Sequence, residues 1–344
     1  MSKLMSIDKV DIGMVLDRDL MDGKTGAILV PSGTAMTRAY IDKLVMNGVR
    51  TIFIRDEVIP EGWKNEKLAK EYSKVEKSLD NIFTEVESGK NIQSENIEKE
   101  MEYFVNAISS ERDIMTQMRL LHKKDDYTFD HSLGVSVLAI ALGKWLDYSE
   151  EKILDLSIAG LFHDIGKLRV PDEIVKKPGK LTEEESSIMQ KHSYYSYEML
   201  AQTNKFNDDI LLGVLQHHER IDGSGYPNGV KGDKIHEFAK IIAICDIYHA
   251  ITSRRVYKDK DSPLRAADCL RRESFSSLDP YITQIFLKNI SKFYVGNKVL
   301  LSNGTTGVIV YIHPQDETKP MVKVGEEFID FQKEQDVEIL DIII

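Results

Sequence analysis

Leu161-Phe-His-Asp-Ile-Gly-Lys167 closes a mostly apolar run that begins at Leu156. Read as a buried helix, the run carries His163 and Asp164 side by side into the interior. An ionised Asp taken out of water costs several kcal/mol unless a cation pairs with it. A divalent metal is such a cation. Asp164 has two oxygens with which to bridge two ions, and the His163 imidazole can ligate one. A buried His-Asp hydrogen bond would explain one isolated pair equally well, but this pair has company. Seven of the nine histidines (131, 163, 192, 217, 218, 236 and 249) fall between residues 131 and 249.

Working outward, Thr128-Phe-Asp-His131-Ser132, Lys191-His192, His217-His218-Glu219 and Ala243-Ile-Cys-Asp246 all place His or Asp in predicted helices beside apolar residues. With His163 and Asp164 they make five His and two Asp, more than one tetrahedral ion can use. Two ions sharing Asp164 fit the count. Such a pair activates a water and stabilises both oxygens of an in-line phosphoryl displacement. Directly after the His pair comes Glu219-Arg-Ile-Asp-Gly223-Ser-Gly225-Tyr226-Pro227-Asn-Gly229. Its glycines and proline make a loop that brings backbone close to a ligand. Tyr226 in that loop could stack on a base or donate to a phosphate.

The rest of the 344 residues divide by pattern. Residues 1–60 read as a small mixed module, with strands over 25–31 and 49–54 and a helix over 37–47 stopped by Gly48. Residues 61–121 are charged and helical. Leu68, Tyr72, Val75, Leu79, Ile82 and Val86 form a stripe that Ile97, Met101, Phe104 and Ile108 continue. That stripe reads first as an intramolecular packing face and second as a homodimer seam through residues 68–108. Residues 122–293 show helix after helix. Thr182-Glu-Glu-Glu185 is a capping box for a helix ending near His192, and Ser262-Pro263 starts another. Residues 294–344 carry short apolar runs separated by Asn303-Gly304 and Pro314, the pattern of a small β-barrel-like module. The fold class is mainly α, with small flanking modules.

Composition narrows the function. Forty-five basic against 56 acidic residues give a net charge of −11, which excludes a general affinity for DNA or RNA backbones. Two cysteines, Cys245 and Cys269, are too few for a disulfide framework or a four-cysteine zinc site and fit a reducing cytosol. No signal peptide or apolar run of about 20 residues is present, so a cytoplasmic protein without a membrane span is expected.

His131, His163-Asp164-Ile-Gly-Lys167, His192, His217-His218-Glu219, Asp222-Gly-Ser-Gly225-Tyr226-Pro227 and Asp246 together resemble the HD-GYP domain, a subset of the HD phosphohydrolases that hydrolyses cyclic di-GMP. The resemblance runs from about residue 125 to 290, and its separated motifs match in order and spacing. It implies one metal held by His131, His163, Asp164 and Asp246, and a second by bridging Asp164 with His192, His217 and His218. It implies two divalent ions per chain, iron first and manganese second. Asp164 and Lys167 become the catalytic pair, Lys167 aiding the leaving oxygen. Gly225, Tyr226, Pro227, Arg255 and Lys258 become the substrate-binding set.

The resemblance further implies that a metal-bridging hydroxide opens cyclic di-GMP to pGpG, with GMP from a second round. The alternatives are a cyclic di-GMP receptor without turnover, or a hydrolase of a related cyclic dinucleotide such as cyclic GMP-AMP. The sequence departs from the family at three places. Tyr127 stands where some members have a third-metal Glu, which argues for a two-metal site. His249 stands where an Asp is often found three residues after the last metal Asp. Val256 replaces a Pro in the nucleotide-binding stretch.

Overall fold

The structure is a computed structural model. It describes residues 2–7, 10, 16–18, 20, 21, 28–30, 41, 44, 45, 48–55, 66–88, 92, 97–108, 127–253, 262–334 and 336–343. The chain forms two compact units, residues 1–66 and 67–344.

In the first unit, β1 (Ser2–Ser6) pairs antiparallel with β4 (Thr51–Arg55), Ser2 opposite Arg55 and Ser6 opposite Thr51. The two short strands β2 (Leu20–Met21) and β3 (Ile28–Val30) pair with each other. Ile7, Val10, Leu16, Val30, Ile41, Leu44, Ile52 and Ile54 make its core.

The second unit takes in all but the first residue of α1 (Glu66–Glu87), followed by α2 (Ile97–Ala107). Their stripe residues Tyr72, Val75, Leu79, Ile82, Ile97, Met101 and Phe104 are buried in the main helical core of one chain. The first of the two readings of the stripe therefore describes these side chains. The homodimer seam gains nothing from them, because a residue already covered within its own chain has no apolar surface left for a partner.

Then follow α3 (Tyr127–Trp145), α4 (Glu150–Phe162), a 3₁₀ turn over Ile165–Arg169, α5 (Asp172–Val175), α6 (Glu183–Met189), α7 (His192–Ala201), α8 (Asp208–Gln216), α9 (Glu237–Thr252), α10 (Pro263–Glu273) and α11 (Pro280–Ile290). Local chemistry sets many of the helix starts. The Ser149 side chain accepts from the Lys152 N–H, and that of Asn207 from the Ile210 N–H. Thr182 and Glu185 form the full reciprocal capping box, and Ser262 caps α10 with Pro263 at its first position. The Thr182-capped helix stops at Met189 instead of reaching His192, which begins the next helix. Apolar α3 and α9 pack centrally against α4, α8 and α10. They carry almost no polar face, as expected of helices covered all round.

The tail is a five-stranded antiparallel sheet in the order β8-β7-β6-β5-β9. Its strands are β5 (Lys298–Leu301), β6 (Thr306–His313), β7 (Asp316–Val324), β8 (Glu327–Asp330) and β9 (Ile339–Ile343). The expected barrel does not close, since β8 and β9 remain unpaired edges. The reason is α10, which packs on β7 and β9. Val299, Leu301, Ile309, Val322 and Ile342 join the helical core, so a helix covers the apolar face that closure would otherwise have to bury.

If the stripe is core packing, Leu79→Ala should cost about 2–5 kcal/mol of stability, the range for emptying a buried leucine site. Denaturant melts of the intact chain measure this, and the sedimentation coefficient should not change. A drop in mass with unchanged stability would return the stripe to a dimer seam.

Candidate metal centre

His131 and Asp246 lie within α3 and α9, as the sequence reading placed them, whereas His163, His192 and His217 lie at helix ends. His163 terminates α4, His217 terminates α8, and His192 begins α7 just after α6. The last carbonyls of a helix lack intrahelical partners. Each of these rings supplies one: Nδ1 of His163 donates to Gly160 O at 2.8 Å, of His192 to Met189 O at 2.7 Å, and of His217 to Val214 O at 2.6 Å. A carbonyl can only accept, so the proton sits on Nδ1 and Nε2 presents its lone pair.

Those Nε2 atoms converge on Asp164. His192 Nε2 stands 3.2 Å and His217 Nε2 4.0 Å from Asp164 Oδ1. His163 Nε2 lies 3.4 Å and His131 Nε2 3.7 Å from Oδ2. Asp246 joins on the His131 side, with Oδ1 3.1 Å from His131 Nε2. His163 and His217 are fully buried, and Asp164 is only 6% exposed. Two groups result: Asp164 with His192, His217 and His218, and Asp164 with His131 and His163. Both contain Asp164.

Electrostatics holds these groups in ligand form. Burial, helped by the rings of His218, His163 and His192, keeps His217 well below the usual imidazole range. Burial likewise takes His218 down to about 3 and lowers His131. Burial opposes ionisation of Asp164, yet Lys167 and His163 outweigh it and hold the carboxyl well below its usual range. Asp246 is held down against burial by His131. His163 differs: burial lowers it, but the adjacent Asp164 carboxylate draws positive charge onto the ring and raises it.

A cation fits here for a reason visible in the donor set. His163 Nε2 and Asp164 Oδ1 are buried without a normal hydrogen bond, and imidazole lone pairs face carboxylate lone pairs. Lone pairs crowded together out of water are costly unless a cation lies among them. Imidazole and carboxylate in this mixture suit Zn, Mn or Fe. The two groups are consistent with a binuclear centre.

Lys167 sits on the 3₁₀ turn that follows Asp164, where residues three apart eclipse. Its Nζ lies 2.5 Å from Asp164 Oδ2, and its side chain stays one-third exposed. Gly166 lets this turn approach α7. A Cβ there would stand 2.1 Å from His192 O and 2.4 Å from Ser196 N. Ser196, which nothing in the sequence singled out, clamps the turn by accepting from Gly166 N–H and donating to His163 O, both at 2.8 Å.

Of the substrate set, Tyr226 lies over the His218 ring, with centroids 4.6 Å apart and planes at 31°. Gly225 packs on the backbone of His218 to Arg220, and the Tyr226–Pro227 peptide is cis. The loop is fastened by buried Glu219, whose two oxygens accept from Asn228 N–H at 2.8 Å and Val230 N–H at 3.1 Å. Arg255 and Lys258 lie outside the described residues, as does the Tyr127 side chain. His236 stands apart from the centre, capping α9 and contacting Asp209.

A helical domain whose helix ends gather His and Asp around one shared carboxylate is an HD-type metal-binding domain. The chain belongs to the HD domain family, which matches residues 104–282. It is 39% identical over 206 residues to the cyclic di-GMP phosphodiesterase PA4108 of Pseudomonas aeruginosa, covering 59% of this chain and 49% of that protein. It is 37% identical over 182 residues to 3'3'-cGAMP-specific phosphodiesterase 1 of Vibrio cholerae, covering 52% of this chain and 42% of that protein. The chain thus spans about half the length of the curated relatives it matches. Among solved structures, Bd1817, an HDG"Y"P protein from Bdellovibrio bacteriovorus, shares the fold with a TM-score of 0.55 at 16% identity, over 83% of this chain and 98% of that one.

Gly166→Ala should push the turn off α7 and weaken divalent-ion binding by roughly 10–100-fold, the usual cost of losing support around a ligand. Equilibrium dialysis with Mn²⁺ reads this directly. Wild-type affinity would show that the close approach does not serve the site.

Proposed function

We propose that this chain is a metal-dependent cyclic dinucleotide phosphodiesterase of the HD-GYP type that opens cyclic di-GMP to pGpG, with GMP from a second round. One observation carries the reading: five imidazoles and a second carboxylate, Asp246, gather around the buried Asp164, with the Nε2 lone pairs of His163, His192 and His217 turned inward. The relatives named as cyclic dinucleotide phosphodiesterases support the substrate class.

Asp164 with His131, His163 and Asp246 would hold one ion, and Asp164 with His192, His217 and His218 the other. Two divalent ions, iron first and manganese second, would supply an activated water and neutralise charge on the phosphodiester. The chain's own residues do the rest. Asp164 and Asp246 stay ionised and so keep the site able to hold cations. Lys167, beside Asp164 Oδ2 and partly open to solvent, is placed to steady charge on the leaving oxygen or give it a proton. Tyr226, backed by His218, offers a ring for a guanine base, and Glu219 keeps its loop from moving. Arg255 and Lys258 complete the set by resemblance, adding local positive charge to an acidic chain. A second reading, cyclic GMP-AMP as the preferred substrate, is favoured by the Vibrio cholerae relative and uses the same residues.

The test is turnover of cyclic di-GMP and of 3'3'-cGAMP by the anaerobically prepared, iron-loaded full chain, read by chromatography. Conversion of cyclic di-GMP to pGpG at the higher kcat/KM is expected. Preference for cGAMP would support the second reading, and binding of either without turnover would leave a receptor.

Lys167→Ala should leave metal content intact while kcat falls by roughly 10²–10⁴, the range for a lost acid/base or electrostatic group. An unchanged kcat would make Lys167 structural. Asp164→Ala should abolish both metal retention and turnover with the helical fold kept.

A further inference from the structure

Asp164 stands between two elements, just past the residue that ends α4 and at the opening of the 3₁₀ turn. Its place therefore depends on how that turn is held. A carboxylate shared by two ions has to stay in register with both sets of rings, and the tie that serves this comes from α7. Ser196 Oγ donates to His163 O and accepts from Gly166 N–H, both at 2.8 Å. One bond falls before Asp164 in the chain and the other after it, so a single hydroxyl brackets the residue.

Both groups are of the kind that helices leave over. His163 O belongs to the end of α4, and Gly166 N–H to the first residues of the 3₁₀ turn. A hydroxyl has one donor and spare acceptor capacity, so Ser can serve both at once and Ala can serve neither. Ser196 is fully buried, so solvent does not stand in for it.

Its place on α7 gives the clamp a side. Ser196 follows His192 by four residues and shares its face of the helix. His192 Nε2 stands 3.2 Å from Asp164 Oδ1, and His192, His217 and His218 form one group with that carboxylate. Ser196 thus sets the spacing between the turn and the helix that brings His192. The other group, His131 and His163 with Asp164, draws on α3 and on the end of α4 instead. His163 is also joined to Asp164 through the chain itself, with Nε2 3.4 Å from Oδ2.

We propose that Ser196 is a positioning residue for the shared ligand: its hydroxyl locks the Asp164 turn to α7 and so assembles the ion site of His192, His217 and His218, while the site of His131 and His163 forms without it. This rests on the metal-binding reading of the centre.

The test compares the wild-type full chain with Ser196→Ala and Ser193→Ala, by equilibrium dialysis of metal-stripped protein against Mn²⁺, with circular dichroism for the fold. Ser193 is the control: it is equally buried on α7, but its hydroxyl donates to Gln190 O at 3.2 Å and not to the turn. The wild type should bind two ions. Ser196→Ala should bind one of them roughly 10–100-fold more weakly, as for other lost outer-sphere partners, and keep the other. Ser193→Ala should match the wild type. Anomalous diffraction at the manganese edge from Ser196→Ala crystals should find the depleted site beside His192, His217 and His218. A further measurement needs no variant: hydrogen exchange of the metal-free wild type should show a protected Gly166 amide, since the clamp is built before any ion arrives. The proposal is overturned if Ser196→Ala binds both ions as tightly as wild type, if both weaken alike, or if the depleted site is the one at His131 and His163. It is equally overturned if Ser193→Ala loses as much, or if the Gly166 amide exchanges freely. A wild type that takes up no Mn²⁺ overturns the metal-binding reading along with the proposal, whereas two bound ions with any of the other outcomes overturn the proposal alone.

Discussion

The Asp164 carboxylate, ionised and almost wholly out of water, is the constraint around which the helical domain is arranged. A bare carboxylate there would cost several kcal/mol. Lys167 from the next turn answers that charge directly, and His163 from the adjacent position, His131 and Asp246 on one side, and His192, His217 and His218 on the other gather round it as a donor set for cations. Packing of α4 against α3 and α8, and of α7 against α8 and the 3₁₀ turn that follows α4, brings these residues together.

The aiming of the rings costs the fold little, because it reuses groups that helices leave unsatisfied. A carbonyl at a helix C-terminus wants a donor, and an imidazole that provides it has its other nitrogen pointed away from that helix. Three helix ends converge, so three Nε2 atoms converge. This accounts for why α4, α6 and α8 stop where they do beside the site. It also explains why Ser196 and Gly166 matter, since they fix the 3₁₀ turn after α4 against α7.

Much of this was legible in the sequence, and the misses have physical causes. The apolar run before His163 and the clustering of histidines pointed to a buried ionic centre because burial of charge is rare without a partner. The capping signals at Thr182 and Ser262 were readable because they are local chemistry. Placing His163 and His217 inside helices was wrong by one residue, since each caps the end of its helix, and His192 opens a new helix. Periodicity does not mark where a helix ends, and the ring-to-carbonyl bonds that end these helices have no short sequence signature. The tail's strands were visible as apolar runs, but α10 covering their face was not, since that contact joins residues some 50 apart. Ser196 was invisible for the same reason, one of two serines in α7 whose role comes only from its neighbours across the turn.

The central claim is that the lone pairs gathered around Asp164 exist to hold two cations. Anomalous diffraction at the iron edge, from crystals of the anaerobically purified full chain, tests it most directly. The account predicts two iron peaks, one on each side of the Asp164 carboxylate, the first within ligand distance of His131 and His163 and the second of His192, His217 and His218. A single peak that leaves either histidine set without an ion, or peaks only elsewhere in the molecule, would contradict it.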